Sequence, residues 1–222
     1  MNISVLIPSR GCAAALFDKI CTHNVLAEQP EKIEWIVRTD ADDSDKGYPE
    51  LVLNAPNVTV IVGRPLGFKG HQYLDEMWRL AKGRYLMSLN SDADILTQGW
   101  DMAYVKALEN IPYGVAGADV DEGGPSAAEN YPWCMGVVDR RICERLGQFC
   151  NGEVVDRVFH HYAVLTGRGV IAPVKIRHHF KKPEPGTPRY AFYKQIWADP
   201  KASVARWDKE AAEMARRVAG FV

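Results

Sequence analysis

The chain has 222 residues, 47% of them hydrophobic and 25% charged, with a formal net charge of -1. That length supports an α/β core without cross-links, and the balance excludes a wholly disordered chain or a dedicated nucleic-acid binder. Five cysteines (Cys12, Cys21, Cys134, Cys143 and Cys150) are odd in number and lack C-x-x-C spacing, which argues against a disulfide framework or zinc knuckle and fits a reducing cytoplasm.

The opening stretch MNISVLIPSRG has no basic lead-in and too short an apolar run for a signal peptide. No stretch reaches the roughly 20 apolar residues that a spanning helix needs. Strands are predicted at ISVLIP (3–8), IEWIV (33–37), VTVIV (58–62) and RYLMSL (84–89). Helices are predicted at 13–28 and 70–82, the second carrying Tyr73, Met77 and Leu80 on one stripe. Strands that alternate with helices predict βαβ units: an α/β, Rossmann-like fold whose mostly parallel sheet has helices on both faces. The segment 38–57, rich in Asp, Gly, Pro and Asn, reads as a loop. Next come a helix at 99–110, a strand in GVAGA (114–118) and a loop over 119–134. A strand and helix follow in WCMGVVDRRICERLG, then a helix near 153–166 and a strand in GVIAPVKIRHH. The Pro-rich KKPEPGTPRY is expected to be mobile, and a helix of alternating basic and apolar residues starts near 200. There is no internal repeat.

In sheets of this kind ligands gather beyond the carboxyl ends of the strands. PSRG (8–11), RTDADDSD (38–45) and NSDAD (90–94) all fall at such ends, and they open on one crevice if the first and fourth strands are neighbours. Asp is costly to bury alone, so NSDAD either faces solvent as a turn or holds a cation. Mg²⁺ and Mn²⁺ take one or two carboxylates and complete their shells with phosphate oxygens, which makes a diphosphate the natural guest. RTDADDSD fits an Asx-rich turn; alternatively Asp40 or Asp42 accepts a base imide N–H, selecting uracil, thymine or guanine over cytosine. His178 and His179 alternate faces at the end of the last strand, so one of them can face the crevice. Lys69, Arg64 and Arg84, near strand ends or helix starts, either meet phosphate or are solvated charges. PLGFKG is neither a G-x-G-x-x-G nor a Walker loop, so no dinucleotide or ATP site is indicated. The basic stretch beyond Lys175 reads as a solvated amphipathic helix or as a contact for anionic lipid, polyanionic glycan or DNA.

Taken together, ISVLIPSRG, IEWIVRTDADDSD and GFKGHQYLDEMWRLAKGRYLMSLNSDADI resemble the nucleotide-sugar-binding half of GT-A glycosyltransferases of the family-two type, over about the first 100 residues. Those enzymes carry an S-V-I-I-P strand, an I-V-V-D-D-x-S-x-D strand end, an A-x-G-x-Y-I lead-in and a D-x-D. The resemblance implies one GT-A domain: a donor half at 1–98, an acceptor half at 99–180 and a basic extension at 181–222. It implies that Pro8, Ser9, Arg10, Asp40, Asp42, Lys69 and Ser91 line the donor nucleotide, with Asp40 on the base. It also implies that Asp92 and Asp94 form the D-x-D for Mn²⁺ or Mg²⁺, with His178 or His179 as the further protein ligand. Two departures stand out: Thr39 occupies the place of the first of two adjacent acids, and Asn90-Ser91-Asp92 offers a second register for the D-x-D.

GVVDRRICERLGQF and EVVDRVFHHYAVLTGRG are similar to the family's acceptor side and place Asp156 where inverting members keep the general base. Glu153 is its nearest substitute, and a surface acid paired with Arg157 or Arg140 is the alternative. Trp133, Tyr131, Phe159 and Tyr162 read as a sugar platform or as core, and His160 and His161 as structural or acceptor-facing. The expectation is a cytoplasmic, metal-dependent, inverting transferase that moves a sugar from a nucleoside diphosphate, UDP favoured, to an acceptor hydroxyl. The acceptor is left open among glycan, lipid-linked sugar, small molecule, protein and nucleobase. A haloacid-dehalogenase-type phosphatase would carry its D-x-D after the first strand, continued by Thr or Val, whereas here it follows the fourth and runs into Ile95-Leu96. A sugar nucleotidyltransferase would show a glycine-rich basic loop where PSRGCAAA has one glycine. A non-catalytic glycan- or nucleotide-binding module of the same fold is the remaining alternative.

Overall fold

Strand β1 (Ile3–Pro8) shows why the molecule is built around a sheet covered on both sides. Ile3, Val5 and Ile7 enter one core and Leu6 another, each at most 1% exposed. A run that is apolar at consecutive positions has no face to offer water, so helices must lie on both sides. The computed structural model describes residues 1–55, 57–67, 70–121, 135–179 and 185–220 and has this layering. After β1 come α1 (Ala13–Leu26), β2 (Ile33–Asp40), α2 (Tyr48–Asn54), β3 (Val58–Gly63), α3 (Gly70–Trp78), β4 (Tyr85–Ser88) and β5 (Ala93–Ile95). Then follow α4 (Trp100–Leu108), β6 (Val115–Asp121), β7 (Val137–Asp139), α5 (Arg140–Leu146), α6 (Val155–Thr166), β8 (Gly169–His178), α7 (Pro188–Ala198) and α8 (Pro200–Ala219).

The strands form one sheet in the order β3-β2-β1-β4-β7-β6-β8-β5. The first four are mutually parallel, β7 runs against both its neighbours, β6 and β8 are parallel, and β5 pairs antiparallel with β8. One core gathers side chains of α1, α2 and α4, and the other those of α3, α5, α6 and α8. Periodicity explains which helix faces turn inward: Ala13, Leu16, Ile20 and His23 of α1 and Trp100, Tyr104 and Leu108 of α4 recur at helical spacing and are buried. Gly99 sits at φ 69° in the left-handed region, where glycine is unstrained, and turns the chain into α4. The Asp101 carboxylate accepts the backbone N–H groups of Glu28 at 2.8 Å and Gln29 at 2.9 Å, tying the exit of α1 to the start of α4.

The α/β expectation holds, and several elements differ in detail. Within 38–57, read as a loop, lies α2, because Tyr48 and Leu51 are three apart and both seat in the core. β6 runs past GVAGA to Asp121 because β8 pairs with it as far as Asp121 opposite Arg177. The remainder of the loop expected over 119–134 lies outside the described residues beyond 121. α3 stops at Trp78, so Leu80 is off the predicted stripe and exposed while Met77 is buried. α7 occupies the end of the Pro-rich stretch, its first turn capped by the Thr187 hydroxyl, which accepts the Tyr190 N–H; residues 181–184 lie outside the described part. The three-residue β5 had no sequence signal.

Candidate functional site

Parallel pairing sets the carboxyl ends of β1, β2 and β4 side by side, with Pro8 opposite Arg38 and Leu6 opposite Ser88. The three polar clusters therefore share one edge of the sheet. β8 adds a fourth contribution: it runs against β5 with Ala93 opposite His178, and the His179 N–H donates to the Asp92 carbonyl at 3.0 Å. The last strand thus ends beside the D-A-D.

At the β1–β2 end, the Arg10 guanidinium donates to Asp40 at 2.8 Å and to Asp42 at 2.7 Å. These bonds, Asp42 first, raise the Arg10 pKa above its usual value, and Arg10 holds the Asp42 carboxyl below the usual range. Arg10 and Asp42 are each more than half exposed, whereas Asp40 is 7% exposed. Arg38, fully buried, donates to Asp40 at 2.9 Å, to Glu76 and to the Thr39 and Arg64 carbonyls, and lies 4.9 Å over the Tyr73 ring. The Tyr73 hydroxyl stands 3.0 Å from both Asp40 oxygens. Asp40 is thus enclosed with both oxygens hydrogen-bonded, whereas Asp42, also held by Arg10, lies at the surface. Gly63 faces Arg38 so closely that a Cβ there would lie 2.5 Å from Nη2.

Two further acids shape the loop before α1. Asp43 accepts the Gly11 N–H at 2.9 Å, and Asp45 accepts the Ala13 N–H at 2.8 Å. Burial works to raise the Asp43 pKa, but the N–H groups of Asp45 and Gly11 and the Thr39 hydroxyl bring it below the usual carboxylate range. Thr39, standing where the family has an acid, therefore orients Asp43 through a 2.9 Å bond. Ser9 is buried, its hydroxyl 3.0 Å from the Tyr48 hydroxyl and 3.2 Å from the Cys12 sulfur, so it holds the loop. Pro8 closes β1, and Ser91 lies half-buried in the turn before β5. Lys69 lies outside the described residues. Arg84 precedes β4 and so stands at the opposite end of the sheet from the crevice; Arg64 follows β3 and offers its carbonyl to Arg38.

At the β4–β5 end, His178 and His179 each meet one acid. The buried His178 Nε2 stands 3.2 Å from Asp92 Oδ1 and 3.2 Å from the Asn90 amide. The exposed His179 Nε2 stands 2.6 Å from Asp94 Oδ2, while Lys19 donates to Asp94 Oδ1 and to the Ala93 carbonyl. Burial works to raise the Asp94 pKa, but the Lys19 and His179 hydrogen bonds hold it below the usual range. Asp92 is 38% exposed and Asp94 32%. Asn90, Asp92 and His178 therefore form one group, and Asp94 with Lys19 and His179 another.

This donor set suits a divalent cation of the Mn²⁺ or Mg²⁺ kind. It offers the Asp92 carboxylate and the His178 Nε2, with the Asn90 amide alongside and its nitrogen toward His178, and such an ion bound with a diphosphate needs only one or two protein carboxylates. Among the described residues no three His, Cys, Asp or Glu side chains converge on one point.

Asp156 lies half-buried in the first turn of α6, near enough to the buried Cys150 for its charge to add to the burial that pushes that thiol up to about 12. Arg157, its suggested ion-pair partner, is buried 5.5 Å over each of the Trp197 and Trp207 rings. Phe159 and Tyr162 are core residues, and Trp133 and Tyr131 lie outside the described residues. The His161 Nδ1 pairs with Asp208 of α8 at 2.5 Å, a structural contact. Lys19 and Arg38 were not singled out from sequence, and Tyr73 only as part of a helix stripe. A charge embedded in the apolar run of β2 could have flagged Arg38, and Lys19 had no signal.

The sequence matches no protein-family model and no curated protein. Solved structures do match in fold. Residues 1–349 of TarS from S. aureus superpose with a TM-score of 0.64 at 15% identity, over 100% of this chain and 72% of that one. The same protein has been solved with UDP-GlcNAc, with a TM-score of 0.63 at 15% identity over 100% and 73%. The mannosyltransferase PcManGT from Pyrobaculum calidifontis, in complex with GDP-Man and Mn²⁺, gives 0.63 at 20% identity over 100% and 76%. The layering, the strand order and these likenesses agree: the chain has the GT-A glycosyltransferase fold.

Proposed function

We propose that this chain is a glycosyltransferase that moves a sugar from a nucleoside diphosphate, UDP favoured, to an acceptor hydroxyl with inversion, using Mn²⁺ or Mg²⁺. The observation that carries the reading is the arrival of Arg10 and Asp42 on one side, and of Asn90, Asp92 and His178 on the other, at a single edge of a GT-A sheet. The nucleotide sugars bound by TarS and by the mannosyltransferase, and the Mn²⁺ held with the latter, support it.

In this reading Asp42 accepts the imide N–H of the base, and Arg10, held by Asp40 and Asp42, presents the remainder of its guanidinium to the diphosphate. Asp92, with His178 and Asn90, would hold the divalent ion, whose positive charge when bound would stabilise the departing diphosphate. An oxygen of Asp156 takes the proton of the acceptor hydroxyl as that hydroxyl bonds to the anomeric carbon and the bond from that carbon to the diphosphate oxygen breaks.

Thermal shift with UDP, GDP, dTDP and CDP and their common sugars, with and without MnCl₂, followed by a nucleoside diphosphate release assay, tests this. Uracil nucleotides are expected to raise the unfolding temperature only with Mn²⁺, and Asp92→Asn to remove both that rise and the release. A chain that responds to no nucleotide, or an Asp92→Asn variant with the parent's release rate, refutes the reading.

A further inference from the structure

Asp94 is gripped on both oxygens, by Lys19 on Oδ1 and by His179 at 2.6 Å from Oδ2. Lys19 also donates to the Ala93 carbonyl at 3.3 Å. One turn along the same helix, His23 accepts the Ile95 N–H at 3.0 Å. Through two side chains α1 therefore holds all three residues of β5. The strand so held is the one against which β8 ends, with Ala93 opposite His178 and the His179 N–H on the Asp92 carbonyl.

We propose that Lys19 is a positioning residue for the divalent-cation site: acting through Asp94, it closes the β5–β8 corner and so aims His178 at Asp92. In this role Asp94 is a brace, and Asp92 is the ligand. The inference rests on the metal site of the proposed function and goes beyond it in giving Lys19 and Asp94 their parts. A partner that orients a metal ligand from behind commonly changes metal affinity by about 10- to 100-fold when removed. Lys19 is one-fifth exposed and Asp94 about one-third, so the lower end of that range applies.

Charge complicates a single substitution, because Lys19→Met removes a cation beside the site and strengthens the pull on Mn²⁺ while it loosens the corner. The Lys19→Met, Asp94→Asn double variant leaves the net charge unchanged and isolates positioning. The measurement is MnCl₂ binding to the full chain without nucleotide, read from the electron paramagnetic resonance signal of free Mn²⁺, with circular dichroism verifying the fold. The double variant is expected to raise the Mn²⁺ Kd about tenfold, Lys19→Arg to stay near the parent, and Asp92→Asn to lose binding. A folded double variant that binds Mn²⁺ as the parent does overturns the inference. So does Asp94→Asn losing as much as Asp92→Asn, which would make Asp94 a ligand. An Asp92→Asn variant with unchanged Mn²⁺ binding overturns the metal reading itself, a separate outcome that takes the inference with it.

Discussion

Replacing His23 by Gln tests whether α1 is held to β5 by a neutral imidazole. His23 is 2% exposed, stacks on Trp35 with centroids 5.9 Å apart, and accepts the Ile95 N–H through Nε2. Protonation would remove that acceptor and place a charge beside Trp35; burial lowers the imidazole pKa from 6.5 to about 4, with Asp94 working the other way. Above about pH 6.5 the ring is neutral in both states and the stability it contributes is fully present. As pH falls from 6.5 towards 4 the unfolded chain takes up the proton and the folded chain does not, so stability falls; below that window both are charged. The span corresponds to about 3 kcal/mol. Urea unfolding at a series of pH values between 7.5 and 4 would measure it, and the parent is expected to lose about 3 kcal/mol more over that range than His23→Gln. Equal pH slopes for parent and variant would refute the burial argument.

Arg38→Met removes a fully buried guanidinium that Asp40 and Glu76 both accept. Breaking a buried pair costs about 3–5 kcal/mol, and because Asp40 keeps Arg10 and Tyr73 the lower end is expected in urea unfolding; unchanged stability would show that the pairing is dispensable. The exposed Lys201, Lys209 and Arg216 fall on one side of α8 and are proposed to meet anionic surfaces. Co-sedimentation with phosphatidylserine vesicles at low salt that is lost at high salt is expected, and no sedimentation at low salt would sink that proposal.

Among the described residues no helix is long and apolar enough to cross a membrane, in keeping with the hydropathy of the sequence. The strands at 3–8, 33–37, 58–62 and 84–89 were legible because each is a short apolar run between turn residues; β1 and β2 are buried on both faces, while the edge strand β3 leaves Val62 exposed. α2 and β5 were not, for their lengths of seven and three residues leave too few positions for a period to appear. Ser9 and Asp40 stand at the expected edge of the sheet, yet hydrogen bonds to Tyr48, Arg10, Arg38 and Tyr73 enclose them. Nothing in a run of neighbouring letters says which of several acids will find a cation.

Sequence by itself determined the α/β class and the strand ends at which polar residues gather, because hydrophobic period and turn chemistry are local. It also supplied the two candidate registers for the D-x-D. Only the tertiary structure gave the two acids different partners, bringing Lys19 from α1 and His179 from beyond β8 onto Asp94 while His178 came to Asp92. Those partners lie 75, 85 and 86 residues apart in the chain. Their meeting depends on β8 running against β5 and on α1 packing across it, and packing of that range leaves no mark in local pattern.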